Sequence, residues 1–193
     1  MKTFLDLAKT RRSIRKYQDK QISKSDLEKI IEAGIYAPNA GGGQRSYVVG
    51  CQDKVLNERL GKLNVGGLDR ANLIGGYVSS EQPSIIDDPS IKSGFYGAPT
   101  VISIFCPSNF LYSVADAFCM AENMCLQAHE LGIGSCIIAR GEETFDNAFG
   151  EQVMKNWAVP DGFIAECFVL LGYVDGAYPQ GKERKIDRYK IID

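Results

Sequence analysis

Three arginines and a serine lie within one five-residue stretch of this sequence, Arg11 to Arg15. Guanidinium groups present paired N–H donors that match the oxygens of a phosphate or carboxylate, and a serine hydroxyl adds a further donor. The formal net charge of the whole chain is -2 at pH 7, so the cluster is a local feature and not part of a basic protein. The stretch predicts a binding site for a small anion, although most short arginine runs are plain solvent-exposed surface.

Lys182 and Arg184 form a second group of cations near the other end of the chain. A dianionic ligand such as a phosphate monoester needs donors that converge on it from separate segments. We therefore expect these two side chains to meet the arginine stretch at one anion site.

Residues 39–44, with the sequence Asn-Ala-Gly-Gly-Gly-Gln, form a glycine-rich loop between a predicted helix and a predicted strand. Consecutive glycines either permit a turn with positive φ or let backbone amides approach a flat ligand closely, and the sequence leaves both roles open. The loop lacks the spacing and the strand-before-helix setting of the dinucleotide and nucleoside-triphosphate motifs. Neither of those two functions fits it.

The segments that must position these residues are predicted to be helices and short buried strands. Periodic apolar residues predict helices near residues 3–9, 27–35, 113–131, 142–149 and 151–157, and β-branched runs predict strands at 47–49, 101–105, 135–139 and 164–171. Ser25 and Glu28 fit a capping box at the start of the second helix, and Gly34 stands near its end. Glycines and prolines between residues 64 and 97 predict turns and a mobile segment that covers a site.

The predicted helix at 113–131 is rich in small residues, among them Ala117, Ala121 and Ala128. Small side chains permit the close approach of another helix, either within the fold or across a dimer, and both arrangements stay open. His129 lies on the same helix. A lone helical histidine without a carboxylate partner is more often structural than catalytic, so we give it no role in chemistry.

Composition limits the classes of function. The chain has 193 residues, 45% hydrophobic and 24% charged, which is typical of one globular domain spanning residues 1–193. Its slightly negative charge argues against a nucleic-acid or membrane partner. It has no run of about 18 apolar residues and no secretory signal, so we expect a cytoplasmic protein. The six cysteines lack metal-site spacing and are expected to be reduced, mostly buried thiols.

The order of the motifs resembles the FMN-dependent nitroreductase family over nearly the whole chain. Arg-Arg-Ser-x-Arg at 11–15 is followed by Ala-Pro-Asn-Ala-Gly-x-x-Gln at 37–44, Gly-Ala-Pro at 97–99, Glu-Asn-Met at 122–124, Gly-Ile-Gly at 132–134 and Leu-Gly-Tyr at 171–173, before Lys182 and Arg184. The resemblance implies an α+β nitroreductase-like fold. In it, helices flank a central mixed or antiparallel sheet, and a long small-residue helix lies near a dimer interface.

The resemblance also implies FMN as the cofactor and no metal. The residues that match the family's FMN-binding positions are Arg11, Arg12, Ser13, Arg15, Asn39, Ala40, Gly41, Gln44, Asn64, Ile138, Ala139, Gly141, Lys182 and Arg184. By this match, the first stretch grips the phosphate, the ribityl chain and the pyrimidine edge, and the last two residues close on the phosphate. The loop at 39–44 reaches the flavin of the partner subunit, while Asn64 and the stretch at 138–141 contact the ring.

The implied activity is the reduction of nitroaromatics, quinones or similar small acceptors with hydride from NADH or NADPH, by a ping-pong mechanism in a homodimer. No catalytic acid or base is expected, since flavin N5 carries the hydride and the protein supplies orientation and electrostatics. Arg11 is our choice for the cation near the N1/O2 edge. Two alternatives stay open: another reaction on the same fold, such as reductive dehalogenation, enone reduction or dehydrogenation, and an FMN-binding protein without turnover.

Overall fold

A four-stranded antiparallel sheet forms the centre of the computed structural model, which describes residues 3–69 and 75–192. Its strands are β1 (Tyr47–Cys51), β2 (Thr100–Pro107), β3 (Gly134–Ile138) and β4 (Phe163–Gly172), in the order β1-β2-β4-β3. The four predicted strands are confirmed, with small shifts at their ends. The sheet is antiparallel throughout, which decides between the mixed and antiparallel alternatives.

The described helices are α1 (Phe4–Thr10), α2 (Lys24–Ile35), α3 (Lys54–Val65), α4 (Ser113–Glu130), α5 (Gly141–Phe145) and α6 (Ala148–Asn156). Five of them were expected from periodicity, and α3 was not. In α3 the apolar residues alternate irregularly with charged ones, so no clear apolar stripe is visible in the sequence. The signal that could have found it is Asp53, whose carboxylate accepts hydrogen bonds from the N–H groups of Val55 and Leu56 at 2.9 and 3.0 Å.

The start of α2 differs from the expectation. The N-cap is Ser23, whose hydroxyl accepts from the N–H of Asp26 at 3.0 Å, so the capping box predicted at Ser25 and Glu28 is wrong. Ser23 and Ser25 each have a carboxylate three residues later, at Asp26 and Glu28, so the local sequence alone does not show which serine is the N-cap. The first backbone N–H groups of the helix are nonetheless satisfied by a side chain of the predicted type.

The sheet separates two apolar clusters, because successive residues of a strand point to opposite faces. On one face, Ile102 and Ile104 of β2 pack with residues of α2 and α4. On the other face, Val101 and Phe105 pack with residues of α3, α5 and α6. The inner strands β2 and β4 are therefore covered on both sides, which explains why their sequences are continuous apolar runs.

The small residues of α4 serve close packing inside the chain. Ala117, Ala121 and Ala128 are fully buried. A Cβ at Gly34 of α2 would lie 2.2 Å from Cε of Met124 in α4, so this glycine permits the two helices to touch rather than ending α2. The sequence left open whether these small residues pack against a helix of the same chain or across a dimer. The buried face of α4 packs against a helix of the same chain.

Most of the cysteines are buried in the core. Five thiols are buried and only that of Cys119 is exposed among the six free cysteines, as expected for most of them. Burial raises the pKa of Cys125 to about 12, which keeps this thiol protonated and inert near neutral pH. Within residues 3–69 and 75–192, no helix is long and apolar enough to cross a membrane.

Candidate functional site

The arginine stretch follows α1 directly and runs beside the edge strand β3. Ser13 forms a parallel bridge with Ser135, and the N–H of Ile14 donates to the carbonyl of Ser135 at 2.9 Å. The Ile14 side chain is fully buried. Because side chains alternate along an extended chain, an inward Ile14 turns Ser13 and Arg15 to the opposite side.

A cavity of about 390 Å³ opens on that side. The described residues that line it come from three segments: Arg11, Arg12, Ser13 and Arg15; Tyr77, Val78, Ser79, Ser80 and Glu81; and Pro179, Gln180, Lys182 and Arg184. The two cationic groups predicted to meet do therefore surround one cavity. Its lining includes five cationic side chains against the single carboxylate of Glu81, so an anion placed in it would lie in a positive field.

Two of the arginines that line this cavity have unused Nε donors. Nε of Arg11 and Nε of Arg12 are shielded from solvent and have no hydrogen-bond partner within the described part of the chain. Nε of Arg11 lies 3.6 Å from Oε1 of Glu122, an ion pair but not a hydrogen bond. A shielded donor without a partner costs about 1–3 kcal/mol. Phosphate oxygens accept hydrogen bonds from guanidinium and ammonium groups, so the five described cations that line the cavity fit an FMN phosphate.

The N–H of Arg12 is fixed by a cluster that sequence reasoning missed. It donates to the hydroxyl of Tyr178 at 3.0 Å, and that hydroxyl donates to the carbonyl of Thr10 at 3.2 Å. The Tyr178 ring stacks on His129, whose Nε2 lies 2.8 Å from the Thr10 hydroxyl. Burial raises the pKa of Tyr178, which keeps the phenol protonated. The cluster holds the C-terminal segment against the arginine stretch, which gives His129 a structural role.

The third wall of the cavity is a loop organised around one carboxylate. Asp87 accepts from the N–H groups of Val78 and Ser84 at 2.7 and 2.8 Å and from the Ser84 hydroxyl at 3.1 Å. Lys182 donates to the carbonyl of Tyr77 at 2.7 Å, which joins this wall to the C-terminal cations. The turns expected between residues 64 and 97 are present in the described part of that range, beyond the end of α3. Residues 77–81 cover one side of the cavity.

A second group of predicted residues lies where β3 leads into α5. The buried Asn64 donates from Nδ2 to the carbonyls of Ala139 and Arg140 at 3.0 and 3.3 Å and to the Thr144 hydroxyl at 3.0 Å. Ile138 and Gly141 adjoin these residues in the chain. The structure thus brings Asn64, Ile138, Ala139 and Gly141 together, but none of the four lines the cavity described above.

Gly141 is required at its position by packing. A Cβ there would lie 2.3 Å from the carbonyl oxygen of Ala165, a backbone atom that cannot move away cheaply. The preceding residue, Arg140, has a φ of 64° and donates from Nη1 to the carbonyl of Asn64 at 2.9 Å. These contacts give a rigid corner after β3.

The third predicted group, the loop at 39–44, lies elsewhere. It contains a single 3₁₀ turn (Ala40–Gly42) with Gly41 at a φ of +60°, and the N–H of Ala40 donates to Oδ1 of Asp116 at 2.9 Å. The N–H of Gln44 donates to Oδ1 of Asn39 at 2.9 Å and closes the loop. None of these residues lines the cavity of their own chain.

The loop and the arginine stretch contact opposite ends of α4. The loop is bonded at Asp116 in the first turn of α4, whereas His129, which holds the arginine stretch, lies in the last turn. At a rise of about 1.5 Å per residue these two points are about 20 Å apart. The contact of the loop with the flavin of a partner subunit stays a prediction.

Known proteins share the fold of this chain. The model of the nitroreductase family matches residues 8–173. The crystal structure of a nitroreductase with bound FMN from Bacteroides fragilis has a TM-score of 0.80 at 28% identity, with 100% of each chain covered. An FMN-dependent nitroreductase from Clostridium difficile has a TM-score of 0.70 at 28% identity, with 97% of each chain covered.

Curated proteins are also similar in sequence. A candidate NADH dehydrogenase/NAD(P)H nitroreductase from Archaeoglobus fulgidus is 27% identical over 178 residues, which cover 90% of this chain and 86% of that protein. The match of the family model to most of the chain, together with the α+β fold shared with the solved structures, means that the chain belongs to the nitroreductase family.

Proposed function

We propose that this protein is an FMN-dependent oxidoreductase that takes reducing equivalents from NADH or NADPH and passes them to a small acceptor such as a nitroaromatic or a quinone. The observation that carries the proposal is the meeting of two cationic groups, from opposite ends of the chain, around one cavity whose described lining has five cationic side chains against one carboxylate. The FMN-bound relatives and the nicotinamide-linked name of the A. fulgidus protein support the same choice.

The roles of the cavity residues follow from their chemistry. Arg12, Lys182 and Arg184 would hold the phosphate, with charge-assisted hydrogen bonds that a neutral ligand cannot form. Ser13 and Arg15 lie on the same side of the extended stretch; Ser13 would hold the ribityl chain, and Arg15 would add a further cation for the phosphate. Arg11 would supply positive charge near the ring, as a partner for the negative charge that reduction adds.

The remaining predicted residues would complete the ring site. Asn64, Ile138, Ala139 and Gly141 form the rigid corner after β3, which suits a surface against which a flat ring packs. Bound FMN would supply hydride acceptance and donation, the chemistry that side chains cannot perform. The protein then needs no acid or base of its own, and its task is to orient the two substrates in turn and to exclude water.

We further propose a homodimer. The end of α2, the 39–44 loop and the start of α4 adjoin one another and expose large apolar side chains, including Tyr36 (80% exposed), Leu111 (85%) and Val114 (58%). Contiguous exposed apolar surface is uncommon on monomers and marks contact sites. A second copy bound to this surface would bury these side chains. The loop residues Asn39, Ala40, Gly41 and Gln44 of one chain would then contact the FMN of the other. A monomer in light scattering with FMN still bound would contradict the dimer.

The spectrum of the purified protein tests the function. We expect the protein to be yellow, or to become so when FMN is added, to bleach under anaerobic NADH or NADPH, and to regain its colour when a quinone or nitroaromatic follows. A protein that cannot be loaded with FMN would refute the proposal. Flavin that binds but is reduced by neither nicotinamide would favour an FMN-binding protein without this turnover.

A further inference from the structure

Gln82 is fully buried, and its side-chain amide uses all of its hydrogen-bonding capacity. Its Oε1 accepts from the backbone N–H groups of Arg15 and Lys16 at 2.7 and 2.6 Å. Its Nε2 donates to the carbonyls of Asp175 and Ala177 at 3.1 and 3.4 Å. One side chain therefore bonds to two distant stretches of backbone at once.

These two stretches lead to the two cationic groups of the cavity. Arg15 is the last residue of the N-terminal group, and the backbone at 175–177 leads to Pro179 and Lys182, which line the opposite side. Gln82 itself belongs to the third wall, directly after Glu81, but does not line the cavity. Its position behind the cavity connects all three lining segments.

Further contacts tie Gln82 to its own wall. Its backbone N–H donates to the hydroxyl of Ser79 at 3.1 Å, and its carbonyl accepts from Nη1 of Arg15 at 3.4 Å. The Arg15 guanidinium is thereby bound to the same residue that holds the Arg15 backbone. A change at Gln82 would shift the path of the chain at Arg15 and the direction of this side chain together.

We propose that Gln82 is the positioning residue of the phosphate end of the site: it sets the spacing between the N-terminal cations and Lys182 with Arg184. This role rests on the proposed function, since it concerns how tightly those cations grip the FMN phosphate. Gln82 does not line the cavity and acts through backbone groups. Its effect should therefore depend on the phosphate and not on the flavin ring.

Riboflavin, which is FMN without the phosphate, separates this role from a general contribution to folding. The experiment measures the dissociation constants of FMN and riboflavin for apo-protein of the wild type and of Gln82→Met, which keeps the length of the side chain but removes its hydrogen bonds. We expect FMN to bind at least about tenfold more weakly to the variant, as for the loss of one charge-assisted hydrogen bond, with riboflavin changed less than about twofold.

Asn57→Leu is the matched control. Asn57 is another buried amide, whose Nδ2 donates to the backbone carbonyls of Cys51 and Pro99 at 3.1 and 3.4 Å, and it does not line the cavity. Its replacement should lower the free energy of unfolding but leave the ratio of the two dissociation constants unchanged. If Gln82→Met does not fold, Gln82→Glu serves in its place. The glutamate keeps side-chain oxygens that accept from the N–H groups of Arg15 and Lys16, but it loses the N–H donors to the carbonyls of Asp175 and Ala177.

The outcomes are distinct. A ratio of the FMN to the riboflavin dissociation constant that rises at Gln82 and not at Asn57 supports the role. A ratio that is unchanged at Gln82, or that rises equally at both positions, overturns it while the proposed function stands. A wild-type protein that binds neither flavin overturns the proposed function and this role with it.

Discussion

Replacing Arg184 with alanine removes a cation from the C-terminal side of the cavity and leaves the arginine stretch intact. Within the described residues, no hydrogen bond or ion pair is found for the exposed Arg184, so its guanidinium is available to phosphate oxygens. Lys182 already donates one of its three N–H groups to the carbonyl of Tyr77 at 2.7 Å, which restricts where its ammonium can lie. We therefore expect Arg184→Ala to weaken FMN binding more than Lys182→Ala.

The magnitudes follow from the exposure of the two side chains. A shielded charge-assisted hydrogen bond contributes about 1.5–3 kcal/mol, and an exposed ion pair contributes about 0–1 kcal/mol. Arg184 lies at the solvent-exposed side of the cavity, so we take about 1.4 kcal/mol, or about tenfold in Kd. For Lys182 the bond to Tyr77 restricts the approach of the ammonium to a phosphate, so we take about 0.7 kcal/mol, or about threefold in Kd. The double variant should then lose roughly 30-fold, apart from coupling through the shared phosphate.

The assay is a titration of apo-protein with FMN, followed by flavin fluorescence, with riboflavin in parallel. The matched control for the double variant is Lys185→Ala combined with Arg188→Ala. It also removes one lysine and one arginine from the same exposed tail, but neither residue lines the cavity. We expect the control to change Kd less than about twofold, as for screened charges. An equal loss in the control, or an equal loss for riboflavin, would refute a direct grip on the phosphate.

Four further changes test other parts of the account. Arg11→Ala should lower the reduction potential of bound FMN, by about 30 mV for each 1.4 kcal/mol of lost interaction with the reduced form, and an unchanged potential would contradict its role. Gly141→Ala should lower the free energy of unfolding by about 2 kcal/mol or more because its Cβ would meet a backbone carbonyl. Gly76→Ala, whose Cβ would have no atom of the described residues within 4 Å, should be near neutral in the same denaturant titration. Burial raises the pKa of Asp87, but hydrogen bonds from Ser84, Val78 and Ser79 outweigh it and lower the pKa below the ordinary value of 3.8. The stability contributed by the Asp87 carboxylate is therefore present above pH 3.8 and is lost as the pH falls through the lower folded pKa. Asp87→Asn should melt at a lower temperature at pH 7 and lose that part of the dependence of stability on acid. Val114→Asp should convert a dimer to a monomer in light scattering, and a variant that stays dimeric would place the interface elsewhere.

The parts of the fold that burial dictates were predictable from the sequence. The strands and α4 were found because covering one or both faces imposes a regular apolar pattern. The helix α3 was missed because charges interrupt its apolar residues, and the cap of α2 was misplaced because Ser23 and Ser25 are chemically alike. Such choices depend on which backbone N–H groups the folded chain leaves unpaired, and that is decided by tertiary structure.

The candidate site divides in the same way. The two cationic groups could be paired in advance because phosphate binding needs charge from more than one segment. Gln82 and Tyr178 could not be found, since they act on Arg15 and Arg12 across 67 and 166 residues of sequence and belong to no periodic pattern. The loop at 39–44 and the corner at Asn64 were assigned by resemblance, and their contacts with flavin stay predictions.

A crystal structure of the protein with FMN tests the central claim most directly. We predict that the phosphate lies within hydrogen-bonding distance of the arginine stretch and of Lys182 or Arg184 of one chain, with the 39–44 loop of a second chain beside the ring. A phosphate bound away from this cavity, or contacted by only one of the two cationic groups, would contradict the account.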